Sequence, residues 1–307
     1  MPGKLLDTPV WPSAYEAAGE EPQPRMGFFT DTSLCIGCKA CEVACKEWNG
    51  VPADDIGFRA SSYDHTGDLG ASTWRHVAFI EQQVPVGQAA DSAPDSLVAE
   101  AMRQSAEIDG GVEARPDAEG LRWLMSSDVC KHCTEAGCLD VCPTGAIFRT
   151  EFGTVVVQDD VCNGCGYCVV ACPFGVIDRR ESDGGAHKCT LCYDRLLDDM
   201  QPACAQACPT DSIQFGELDE LRERAAGRVE ALHERGEATA RLYGEDPGDG
   251  VGGFGAFFLL LDDPEVYGLP PDPVDPTRHT KTNWLAAGLA GVGLAAGVAA
   301  SILAGRE

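Results

Sequence analysis

Positive charge is scarce in this chain. Of 307 residues, 23 are Lys or Arg against 49 Asp or Glu, a net charge of −26. That balance excludes nucleic acid as a partner, because neutralising phosphates takes clustered Lys and Arg, and there is no such cluster. Signatures of substrate chemistry are missing too. No Ser/His/Asp set, no H-E-x-x-H and no P-loop can be read. His65, His76, His233 and His279 are scattered and read as satisfied or solvated. The first residues, MPGKLLDTPVWPSAYEAAGEEPQ, lack the apolar core of an export signal and read as a polar arm with several prolines. Hydrophobic residues make up 44%, which excludes a disordered chain, and the length suggests about two domains.

What the chain does have is cysteine, 16 residues or about 5%, below the roughly 8–10% of short disulfide scaffolds and strongly clumped. Four groups of four account for all of them: Cys35, Cys38, Cys41, Cys45; Cys130, Cys133, Cys138, Cys142; Cys162, Cys165, Cys168, Cys172; and Cys189, Cys192, Cys204, Cys208. The first and third groups step by 3, 3 and 4 residues, the second by 3, 5 and 4, the fourth by 3, 12 and 4. Pro143, Pro173 and Pro209 follow the last cysteine of three groups; Lys46 takes that place in the first.

C-x-x-C-x-x-C-x-x-x-C-P is the bacterial ferredoxin spacing for cubane clusters. Three thiolates on a tight loop reach three irons of one cube. The fourth, expected to open a short helix pointing away, ligates the neighbouring cluster. Gly37, Gly137, Gly164 and Gly166 let the backbone wrap closely. Zinc is the competing reading, but a four-cysteine zinc site normally takes two C-x-x-C knuckles rather than a triple run.

Groups two and three are separated by only 19 residues, and the stretch GAIFRTEFGTVVVQDD between them reads as strand, turn and strand. The economical pairing is nested, two with three inside and one with four outside. Exchanging the last cysteine within each pair gives four ligand sets. Set A is Cys35, Cys38, Cys41 and Cys208. Set B is Cys45, Cys189, Cys192 and Cys204. Set C is Cys130, Cys133, Cys138 and Cys172. Set D is Cys142, Cys162, Cys165 and Cys168. The sequential pairing, one with two and three with four, stays open.

Four of the six lysines sit beside these cysteines: Lys39, Lys46, Lys131 and Lys188. A nearby ammonium favours the reduced, more negative state of a cluster. The third group has only Asn163, Gly164, Gly166 and Tyr167 between its ligands, so cluster D is expected to have the lowest potential of the four.

Strands are expected at 28–31 and 73–82, and a surface insertion with one helix (96–108) at 85–119. Leu218, Leu221, Ala225, Val229 and Leu232 form one face of an amphipathic helix. Gly250, Gly252 and Gly255 spell G-x-G-x-x-G, but no strand precedes and no helix follows, so this is a glycine loop entering an edge strand, not a dinucleotide site. Residues 284–304 carry no charge over 21 positions, about 31 Å as a helix, enough for a bilayer core. Gly293 and Gly297 form a G-x-x-x-G pair suited to packing on partner helices.

Taken together, HKCTLCYDRL…PACAQACPT, CKHCTEAGCLDVCPTGAI, NGCGYCVVACPFGVI, the GVGGFGAFFLL loop, the DDPEVYGLP turn and the C-terminal span resemble the electron-transfer beta subunits of molybdopterin oxidoreductases. Within that group they are most similar to the beta subunit of respiratory formate dehydrogenase. The resemblance covers about residues 26–307, and the insertion at 85–119 departs from it. It implies an α+β fold of two nested ferredoxin-like (βαβ-type) two-cluster modules plus a C-terminal single transmembrane helix. The segments would be a polar arm (1–25), an outer module (26–129 and 174–216), an inner module (130–173), a helix, glycine loop, strand and Pro-rich connector (217–282) and an anchor (283–307). It further implies four [4Fe–4S] clusters and a molybdopterin-containing (Mo or W) catalytic alpha subunit that oxidises formate. A membrane cytochrome b-type gamma subunit in the lipid bilayer, with quinone, would receive the electrons. The equivalent subunit of a hydrogenase, sulfoxide reductase or polysulfide reductase is the alternative. The resemblance places the globular part on the extracytoplasmic side. The basic residues Arg278, Lys281 and Arg306 would place it inside.

Overall fold

The computed structural model describes residues 24–53, 63–85 and 119–304. The arm up to residue 23 and the helix expected at 96–108 lie outside the described residues. Arg25, assigned to the arm by composition, is buried, and its guanidinium donates to His132 O at 2.7 Å and Thr134 Oγ1 at 2.6 Å. The folded body therefore includes Arg25.

Four strands build the larger core. In spatial order they are Ile213–Glu217 (β8), Met26–Asp31 (β1), Ala256–Leu260 (β10) and Arg241–Tyr243 (β9). β1 runs antiparallel to β8 and parallel to β10, and β10 runs antiparallel to β9. The strand expected at an edge is thus interior. Its five residues, Ala-Phe-Phe-Leu-Leu, are all buried. A run with no polar alternation needs cover on both faces and takes the middle of a sheet. Pairing with β1 stacks Phe29 on Phe257, ring centres 5.3 Å apart. Helix α6 (Leu218–Glu234) buries Leu218, Leu221, Ala225 and Leu232, the stripe read from the sequence, with Val229 half-buried beside them. Arg228 on α6 donates to Asp31 Oδ2 at 2.9 Å and ties the helix to the end of β1.

A long hairpin lies beside this sheet. β2 (Arg75–Pro85) pairs antiparallel with β3 (Glu119–Val129), Arg75 opposite Val129 and Pro85 opposite Glu119. Residues 86–118, between the two strands, are outside the described residues. The strand–turn–strand expected after Cys142 is present as β4 (Ile147–Arg149) and β5 (Val155–Val157), closed by Thr150 N–H donating to Thr154 O at 2.8 Å. A two-residue pair, β6 (Asp178–Arg179) with β7 (Ala186–His187), follows. Around these strands, Ala136, Ile147, Val155, Cys168, Ile177 and Ala186 form a second, smaller core.

The last described element is helix α7 (Thr280–Ala304), whose residues 282–299 are all exposed. Its 25 residues span about 37 Å, against about 30 Å for a bilayer core. Among the described residues it is the one helix long and apolar enough to cross a membrane.

Candidate metal centres

One loop geometry recurs in all four cysteine groups. The residue before the second cysteine is left-handed each time: Gly37 (φ 66°), His132 (44°), Gly164 (67°) and Leu191 (58°). Packing makes glycine necessary at two of them. A Cβ on Gly37 would sit 2.6 Å from Phe79 Cε1, and one on Gly164 would sit 2.2 Å from the Gly184 carbonyl oxygen. His132 and Leu191 hold the same turn at a strain of about 1–2 kcal/mol each, which their near-complete burial sustains. A reading that credits the wrapping to glycines misses these two. Gly137, by contrast, has no left-handed backbone; its place is close approach, an added Cβ lying 2.6 Å from Asp275 Oδ1.

The fourth cysteine closes a short helix rather than opening one. Helices α2 (Gly137–Asp140), α3 (Tyr167–Ala171) and α5 (Ala203–Gln206) stop just before Cys142, Cys172 and Cys208. The proline that follows each cysteine disfavours the helical conformation at the residue before it. In the first group Lys46 replaces proline, and α1 (Ala40–Asn49) runs on through both Cys41 and Cys45.

The thiols gather across groups. Cys35, Cys38, Cys41 and Cys208 line one cavity. Cys130, Cys133, Cys138 and Cys172 line a second. Cys142, Cys162, Cys165 and Cys168 line a third. The remaining four, Cys45, Cys189, Cys192 and Cys204, are all buried. Asn49 Nδ2 lies 3.8 Å from Cys45 Sγ and 3.7 Å from Cys192 Sγ. Burial first, and then the charges of Cys189, Cys204 and Cys192, push the Cys45 thiol up. Each gathering holds three thiols of one group and the last thiol of another. Among the described residues, no three Cys, His, Asp or Glu side chains converge on a single-ion site.

Neighbouring sets meet in the order A, B, C, D. Arg75 lies between Cys41 of A and Cys204 of B. Lys188 faces Cys189 of B and Cys130 and Cys138 of C. The charge of Cys168 in D reaches Cys138 in C. Of the sixteen thiols, two are exposed: Cys38 in A and Cys165 in D.

Burial raises many of these thiols above their ordinary value. It pushes Cys41 and Cys168 up to about 11 and Cys138 to about 12. Cys142 departs from this: burial is its largest single influence and pulls it up, but the N–H groups of Ile147, Thr144 and Ala146 and the Thr144 hydroxyl together hold it below its ordinary value. Coordination to metal removes such protons outright.

The cations differ in what they face. Lys39 pairs with Glu42 and Asp64, each at 3.2 Å. Lys46 is half-buried on α1. Lys131 is buried but pairs with Asp128. Lys188, also buried, donates to Val155 O and, at 2.9 Å, to Cys189 O, with no carboxylate partner among the described residues. Arg75, which the sequence reading does not single out, is buried without a carboxylate partner among the described residues as well. Burial alone would lower its pKa, but the sulfurs of Cys204, Cys41, Cys189 and Cys45 hold it above its ordinary value. Buried cations without carboxylates are costly unless other anions face them. Thiolate-ligated clusters are such anions, so the donor set and its surroundings fit them. Of the four scattered histidines, His76 Nε2 is 2.7 Å from Asp64 Oδ2, His233 Nε2 donates to Ala240 O at 2.8 Å, and His65 and His279 are exposed.

Two family models, each described as a 4Fe-4S dicluster domain, match the chain at residues 34–146 and 121–218. Two such domains imply four [4Fe–4S] clusters. The formate dehydrogenase-O iron–sulfur subunit of Escherichia coli (strain K12) is 36% identical over 286 residues, covering 91% of this chain and 82% of that protein. The formate dehydrogenase iron–sulfur subunit of Haemophilus influenzae is 39% identical over 247 residues, 79% of this chain and 68% of that one. The B subunit of anaerobic dimethyl sulfoxide reductase from Escherichia coli (strain K12) is 33% identical over 200 residues, 65% of this chain and 77% of that protein. With its cysteine sets, its dicluster domains and this similarity along most of its length, the chain is a member of the family of formate dehydrogenase iron–sulfur subunits.

Proposed function

We propose that the chain is an electron wire from a formate-oxidising catalytic subunit to a membrane partner, with sets A to D as the ligands of its four clusters. The observation that carries this is the pattern of exposure. The sets follow one another A, B, C, D, and the two exposed thiols belong to the two end sets, while B is buried throughout. A conductor needs accessible ends and an insulated middle. When bound, [4Fe–4S] clusters supply one-electron redox chemistry. The residues of this chain hold them, exclude water and set the charge around them. The crossing of the last cysteines and the second core at 136–186 support nested ferredoxin-like modules over the sequential pairing. Among the four lysines, Lys188 is the tuning residue of greatest weight, because its charge is buried and faces thiols rather than a carboxylate.

The partners in this reading are a molybdopterin-containing (Mo or W) alpha subunit and a cytochrome b-type gamma subunit with quinone. α7 is a single-pass anchor in the bilayer, with the globular part on the extracytoplasmic side. Thr277 Oγ1, just before α7, donates to Asp140 Oδ2 at 3.1 Å on α2. That fixes the root of the anchor between Cys138 of C and Cys142 of D, which supports the D end as the one facing the membrane and A as the one facing the catalytic subunit. Coverage of the formate dehydrogenase-O subunit over 91% of the chain, against 65% for the dimethyl sulfoxide reductase subunit, supports formate as the donor. The test is to isolate the complex from membranes and add formate without quinone. Four reduced-cluster EPR signals should appear and vanish on adding a quinone. Reduction by another donor while formate leaves every cluster oxidised would refute the proposal.

A further inference from the structure

Arg75 opens β2, and its guanidinium is only 1% exposed. Nη2 donates to Cys204 Sγ at 3.4 Å. Nη1 donates to Ser127 O at 3.1 Å and to Ser127 Oγ at 3.3 Å. Ser127 Oγ in turn lies 3.2 Å from Cys41 Sγ. The result is a continuous buried bridge, Cys204–Arg75–Ser127–Cys41. Its ends belong to two different thiol gatherings: Cys41 lines the cavity with Cys35, Cys38 and Cys208, and Cys204 sits with Cys45, Cys189 and Cys192. The guanidinium carbon lies 4.8 Å from the centre of the Phe28 ring, whose face the cation covers. A guanidinium that only held the hairpin together would be satisfied by carbonyls or a carboxylate. This one bonds a single carbonyl, a hydroxyl that leads to a thiol, and a thiol, while its buried Nε has no partner among the described residues.

We propose that Arg75 is a tuning residue shared by clusters A and B, raising the reduction potentials of both through its bond to Cys204 and its relay through Ser127 to Cys41. It rests on sets A and B being ligand sets. An electron added to either cluster increases negative charge, and a fixed cation with N–H bonds to the ligand sulfur favours that state. The planar, forked guanidinium can serve both sides at once, which an ammonium cannot. With Arg75 in place a single charge acts on both clusters at the A end.

The experiment uses the intact membrane complex carrying Arg75→Gln, Arg75→Lys or Ser127→Ala, with iron and acid-labile sulfide assayed before EPR-monitored redox titration. Arg75→Gln should shift two of the four midpoint potentials to more negative values and leave two in place. Arg75→Lys should restore most of the shift for one cluster, because charge returns without the fork. Ser127→Ala should shift one potential alone. Iron and sulfide at the wild-type level with all four potentials unmoved, or all four moved equally, would overturn the role of Arg75 while leaving the ligand sets standing. Loss of cluster iron in both Arg75 variants would make the residue structural and overturn the proposal too. A wild-type complex with fewer than four clusters would instead remove the reading on which it rests.

Discussion

Replacing Lys188 with methionine tests the electrostatics at the B–C junction. The side chains are similar in size, so packing changes little while one buried positive charge disappears. The ammonium faces the thiols of Cys130 and Cys138 in C and of Cys189 in B; one unit of charge acting over roughly 7 Å is worth about 2 kcal/mol at an effective dielectric constant of 20. For a one-electron couple that is about 100 mV. Both potentials should therefore fall by about 100 mV in a Lys188→Met complex, with A and D nearly unmoved. A stability cost accompanies this, because the carbonyls of Val155 and Cys189 lose a donor, at about 1–3 kcal/mol each. EPR-monitored titration of the intact complex reads the potentials, and thermal melting reads the cost. If melting falls but the B and C potentials hold, the charge is screened or already balanced and the reasoning fails.

Three further outcomes are expected. Deleting residues 280–307 should leave cluster signals intact and release the chain from membranes; sedimentation with membranes after the deletion would contradict an anchor. Cluster D should have the lowest potential, since Arg179 reaches its loop only from the solvent side, and Asn163→Lys should raise it by about 20–40 mV, the about 0.5–1 kcal/mol of an exposed charge; a titration showing D highest, or unmoved, would refute this. Gly164→Ala should lose the D signal and about four irons per chain, because its Cβ would lie 2.2 Å from the Gly184 carbonyl oxygen in a left-handed backbone; four signals of normal intensity would show that the loop yields.

Which parts of this were legible in the sequence follows from how far apart the cooperating residues lie. Cysteine spacing is local, so all four loops could be read directly, as could the helix face from Leu218 to Leu232 and the hairpin after Cys142. The direction of the short helices is not in the spacing, which says nothing of where a helix starts. The prolines after Cys142, Cys172 and Cys208 held the clue, since they mark stops. The left-handed turns at His132 and Leu191 were hidden because composition points to glycine at such positions. The interior place of β10 depends on β1, more than 220 residues earlier in the chain. Arg75 was illegible for the same reason: its sulfur partner is 129 residues away, and in sequence it is one polar residue in an alternating strand. Lysines beside ligands were easy to find, but which of them keeps its charge free for a cluster depended on Asp128 and Asp64, whose positions only the fold supplies.

The central claim is that sixteen cysteines hold four clusters, and the count of metal tests it most directly. Iron, zinc and acid-labile sulfide should be measured per chain on the intact complex, with the contribution of the catalytic and membrane partners, measured on the partners prepared without this chain, subtracted. About sixteen irons and sixteen sulfides, with no stoichiometric zinc, are expected. A count near twelve irons, or zinc in place of iron, would contradict the account.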